Sequence, residues 1–146
     1  MKQGTRIVCI TTALVVLIAG ISFAAAEEEQ SSGHSLAVVN LNSEPAGITP
    51  NPAKVKLGDT VVFHNNASGN AKIAFITRIG LACAAPVNFY ADLLGNYETS
   101  QIAEGAIASI CFIEPGTYEY EVKRLVTKKG QEPYEIISKG SIIAHK

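Results

Sequence analysis

The chain has 146 residues with 3 cysteines, 1 methionine and no tryptophan, a length suited to one domain and at most a tail. With 47% hydrophobic and 17% charged residues it is too apolar for a disordered chain. The formal net charge of -1 excludes a chain-wide electrostatic pull toward nucleic acid.

Residues 1–26 read as a secretory signal. Lys2 and Arg6 form a positive start, Ile7 to Phe23 is an uncharged apolar run, and Ala24-Ala25-Ala26 offers a small-residue cleavage site before Glu27. The alternative is an uncleaved anchor, because the run is almost long enough to span a bilayer. Cys9 lies near the start of the run rather than its end, which is the wrong place for a lipoprotein start. Cleavage removes Lys2, Arg6, Cys9 and the sole methionine, Met1. It leaves a slightly acidic mature chain, periplasmic or secreted, with no membrane segment. Its two cysteines, Cys83 and Cys111, most simply form one disulfide in an oxidising compartment. The chain-entropy model gives such a loop of about 30 residues a stabilisation near 3.5 kcal/mol. A pair of metal thiolates is the competing arrangement, but no histidine lies between them.

Residues 27–35 are polar and acidic, a flexible tail. From residue 36 to residue 146 the texture is that of one β domain. Leu36 to Leu41 is apolar enough for a strand, and Ala46-Gly47 and Pro50-Asn51-Pro52 mark turns. Ala53 to Leu57 alternates, Gly58-Asp59 is a turn, and Thr60 to His64 is a strand. Asn65 to Asn70 is a loop of turn formers and Ala71 to Ile76 a further strand. Pro86 to Leu94 carries apolar residues at 87, 90, 93 and 94, which predicts one short helix ended by Gly95-Asn96. Strand character returns at Ile102, Ile107, Ile110 and Phe112. After Pro115-Gly116, Thr117 to Val126 places Tyr118, Tyr120 and Val122 on one face and Glu119, Glu121 and Lys123 on the other. Tyr134 to Ile137 and Ser141 to Ala144 complete the strands. Many short strands with regular turns predict a sandwich or barrel.

Three segments resemble the cupredoxins, the plastocyanin and pseudoazurin group. They are Asn51 to Asn65 with its Gly58-Asp59-Thr60 turn, Pro115-Gly116-Thr117-Tyr118-Glu119-Tyr120, and Lys139-Gly140-Ser141-Ile142 near the end. They occur in the family's order. The resemblance implies an all-β, cupredoxin-like Greek-key β-sandwich, here with one short helix. It also implies a type 1 copper centre, made from two imidazoles, a thiolate and a weak axial methionine. The positions that match the family's ligands do not carry them. The first histidine falls on Ala71, the cysteine on Val122 and the axial methionine on Ser138, while residues 123–138 contain no histidine. Neither alanine nor valine can coordinate copper, and serine is a hard, poor ligand for it. The segment 123–138 reads instead as an extra β-hairpin replacing the copper-binding loop.

The expectation is therefore a copper-free, non-catalytic binding or structural module, with no cofactor and an unknown protein partner. Lys123, Arg124, Lys128, Lys129 and Tyr134 on the hairpin form the candidate partner surface, although lysines there also suit a solvated edge that resists strand pairing. The alternative is a copper-binding electron-transfer or carrier protein with unusual ligands. His34, His64 and His145 are scattered without metal-ligand spacing, though His34 and the Glu27-Glu28-Glu29 run could form a surface copper or zinc site. Enzymatic activity is not expected, since no nucleophile elbow, zinc-protease motif or phosphate-binding loop is present.

Overall fold

A computed structural model describes residues 35–79, 86–127 and 129–146. The expected signal and all of the expected tail but Ser35 lie outside the described residues, as do His34, Cys83 and Lys128. Among the described residues ten strands follow in order: β1 (Leu36–Leu41), β2 (Ile48–Thr49), β3 (Ala53–Lys56), β4 (Thr60–Asn65), β5 (Ala71–Phe75), β6 (Phe89–Ala91), β7 (Tyr97–Thr99), β8 (Ile107–Cys111), β9 (Gly116–Val126) and β10 (Tyr134–His145). They form two sheets, a four-stranded one of order β2-β1-β4-β8 and a six-stranded one of order β3-β10-β9-β5-β7-β6. The pairs β1/β4 and β3/β10 are parallel and the rest antiparallel. This is the expected all-β architecture of two sheets.

Alternation in the sequence becomes the two faces of each sheet. Along β9, Tyr118, Tyr120, Val122 and Arg124 are buried, while Glu119 and Leu125 are exposed. Buried aromatic rings join the sheets: Phe63 of β4 meets Tyr120 edge-on with centroids 5.2 Å apart, and Phe75 of β5 meets Phe112 at 6.0 Å. Such pairs contribute about 0.5–1.5 kcal/mol beyond the area they bury. Gly140 of β10 makes room for one of these rings, because a Cβ there would overlap the end of the Tyr120 side chain.

The predicted helix at Pro86 to Leu94 is absent. The segment enters β6, turns, and returns as β7, pairing Phe89 with Thr99 and Ala91 with Tyr97. Asp92 organises the turn: its Oδ1 accepts from the amides of Leu94 and Asn96, both at 2.8 Å. Gly95 takes a φ of 81°, the left-handed conformation that glycine adopts without strain. A glycine after an Asp turn closes a hairpin as readily as it ends a helix. Leu93 and Leu94 are left in solvent, so their apparent helical spacing marks no buried face. The two runs at Tyr134 to Ile137 and Ser141 to Ala144 merge into the single strand β10, paired with β9 from Tyr134↔Val126 to Ala144↔Gly116. The rebuilt hairpin is thus a continuation of the sheet.

Candidate functional site

Register decides what meets at the end of the sandwich where β5 begins. Ala71 stands opposite Arg124, and Arg124 stands opposite Ile136. In the next inward-facing row, Ile73 stands opposite Val122 and Val122 opposite Ser138. Directly opposed residues of antiparallel strands share a face with Cα atoms about 5 Å apart. The positions matching the family's first histidine, cysteine and axial methionine are therefore brought together on the inner face. Ala71 and Val122 are buried and Ser138 is half-buried.

The fourth side chain in this group is Arg124. It is 5% exposed and turned inward by the same alternation that buries Tyr120 and Val122. Its Nη1 donates to the Asn42 carbonyl at 2.7 Å, just beyond β1 in the opposite sheet. Its Nη2 lies 3.5 Å from Ser138 Oγ and 3.7 Å from Glu44 Oε1, and among the described residues Nε has no hydrogen-bond partner. Glu44 itself is largely in solvent. The guanidinium thus sets a positive charge beside Ser138.

These residues do not fit a type 1 copper ion. They supply a methyl group, an isopropyl group and one hydroxyl where imidazole, thiolate and thioether are required, with a cation among them. Among the described residues no group of three or more His, Cys, Asp or Glu side chains is gathered to hold a metal. His64, half-buried in β4, stands opposite Asn40 and Ile107, and His145 is exposed at the end of β10. Cys111 is buried at the end of β8, and its expected partner Cys83 lies outside the described residues.

The expected partner surface divides. Arg124 is buried and is removed from it, because its position in β9 has inward parity. Lys123 faces outward, paired laterally with Lys72 and Ile137. Lys129 is exposed in the hairpin turn, whereas Tyr134, paired with Val126 at the start of β10, has the same inward parity as Arg124 and leaves the outer face too, although 38% exposed. Leu125 and Ile137, 63% and 50% exposed, join Lys123 on the outer face. A cleft of about 270 Å³ beside them is lined by Asn70, Lys72, Gln101, Lys123, Leu125 and Glu135. Lys72 is engaged with Glu98, Nζ to Oε2 at 2.8 Å, and Tyr90 donates to the other Glu98 oxygen at 2.7 Å. The hydrogen bond from Lys72 holds the Glu98 carboxyl below its ordinary range and raises the Lys72 ammonium. Lys72 is thus neutralised locally, whereas Lys123 and Lys129 give the outer hairpin its positive character.

No protein-family model matches the chain, and no curated protein matches it. Solved structures of amicyanin do. A reduced Cu(I) form of an amicyanin mutant at pH 4 is 18% identical with a TM-score of 0.49, covering 77% of this chain and 85% of that one. Another Cu(I) mutant form is 16% identical, with a TM-score of 0.49 and coverage of 80% and 87%. An oxidised mutant form gives 18%, 0.49, 77% and 85%. The likeness is one of chain course alone, and no residue role is taken from it.

Proposed function

We propose that the mature chain is an exported, non-catalytic binding or structural module, periplasmic or secreted, built on a cupredoxin-like sandwich without type 1 copper. The convergence of Ala71, Val122 and Ser138 around a buried arginine carries this reading: the scaffold assembles the ligand positions and fills them with side chains that cannot ligate copper. Recognition then belongs to the outer face of the β9–β10 hairpin. Lys123 and Lys129 beside Leu125 and Ile137 offer cations and exposed apolar area to an acidic protein partner.

Titrating the purified mature domain with Cu(II) tests the reading against the copper-carrier alternative. No intense visible thiolate-to-copper band is expected, and its appearance would overturn the proposal. Crosslinking through Lys129 in the native compartment is expected to capture an acidic protein, with capture lost in Lys123→Glu/Lys129→Glu. Undiminished capture would move the partner surface elsewhere.

A further inference from the structure

We infer that Arg124 is the residue that keeps metal cations out of this end of the sandwich, beyond the loss of the ligands themselves. This role presupposes the copper-free sandwich proposed above. Three observations carry it. The guanidinium is almost wholly buried, so water screens it little. Its Nη2 sits 3.5 Å from the Ser138 hydroxyl, at the axial-ligand position, and its strand pairing fixes it one inward-facing row from Val122. Its hydrogen bond to the Asn42 carbonyl anchors it to the opposite sheet, so swinging away to admit a second cation costs that bond. The neighbouring anion, Glu44, is exposed and 3.7 Å away, which offsets the charge only in part.

Two like unit charges about 4 Å apart repel enough, at effective dielectrics between those of water and a protein surface, to weaken binding by roughly tenfold to a thousandfold. Restoring ligand side chains is therefore insufficient to make a metal site while Arg124 remains.

The test grafts two ligands, Val122→Cys with Ser138→His, into the mature domain. This pair is combined with native Arg124, Arg124→Met, Arg124→Gln or Arg124→Lys. Gln keeps a donor for the Asn42 carbonyl and guards against a fold that does not tolerate Met; circular dichroism checks each variant. Co(II) is the probe, followed through its thiolate charge-transfer absorbance. Met and Gln are expected to raise Co(II) affinity by about a hundredfold over Arg, while Lys, which keeps the charge but not the planar fork, stays within about tenfold of Arg. Equal affinities across the four overturn the inference because the charge then excludes nothing, and no binding in any of them overturns it because geometry alone then excludes the metal. A copper–thiolate band in the native chain would instead sink the copper-free proposal itself, so the two failures are distinguishable.

Discussion

Asp59 and Arg124 hold opposite ends of the same strand, and they do it in different ways. Strand β1 leaves Ser35 at one end and reaches Asn42 at the other. At the first end, the two carboxylate oxygens of Asp59 accept one backbone amide each, from Ser35 at 3.0 Å and from Lys56 at 2.9 Å. Gly58, at a φ of 87°, makes the turn that brings Asp59 under both donors. At the other end, Arg124 makes one short bond to the Asn42 carbonyl and two long contacts, with no partner for Nε among the described residues. The anion is matched to its partners; the cation has more donors than the site has acceptors. A buried charge that is fully hydrogen-bonded is a stability device. One that is incompletely bonded costs desolvation without full return, and its presence is better explained by what its charge repels.

Four measurements would break or sharpen that contrast. Asp59→Ala leaves the Ser35 and Lys56 amides without their acceptor and is expected to cost about 3 kcal/mol in urea unfolding. Arg124→Met strands one carbonyl but removes an incompletely satisfied buried charge, so its expected cost is smaller, about 1 kcal/mol. An Arg124→Met loss equal to that of Asp59→Ala would erase the distinction between the two ends.

The pH dependence separates them again. Hydrogen bonding by Ser35, with further bonds from the backbone amides, lowers the Asp59 carboxyl from its ordinary value of 3.8 against the opposing effect of burial. A lowered folded-state value means the stabilisation is complete above the unfolded carboxyl's range and is lost as pH falls through about 4 toward the folded value. Unfolding free energies measured from pH 7 down to pH 2.5 should therefore show the native chain and Asp59→Asn converging in acid, while the native chain and Arg124→Met keep a constant gap. Convergence in the second pair would mean that an acid-titrating partner, rather than the guanidinium's own charge, governs that end. The smallest effect is expected from Glu44→Gln. Its contact with Arg124 is long and largely solvated, so stability should change by less than about 0.5 kcal/mol. A larger loss would show that Arg124 is as fully partnered as Asp59.

Much of this architecture is legible along the chain. The alternation of Val55, Val61, Phe63, Ile73 and Tyr118 to Val122 marks the inner faces of β3, β4, β5 and β9, because side-chain direction in a strand has period 2 and is local. The same parity, carried two residues past Val122, already places Arg124 inside; its charge, grouped with neighbouring lysines, concealed that signal. The hairpin β6–β7 was concealed for a different reason. Its strands are three residues each, too short for alternation to outweigh a helical spacing. Only one of its apolar side chains at 87 to 94, Phe89, is buried. Strand β2, with two residues, leaves no periodic trace at all.

Composition and spacing by themselves determined a β domain, and the resemblance to the cupredoxins set alanine, valine and serine at the positions matching that family's copper ligands, where residue identity settles what can coordinate a soft metal. Tertiary structure alone decided which charges those positions keep company with. Neighbourhood between Ala71, Arg124 and Ser138 comes from inter-strand register, and the bond from Arg124 to Asn42 crosses 82 residues of sequence between two sheets. Pairings of that separation are fixed by the simultaneous packing of many side chains, and no local pattern in the chain encodes them.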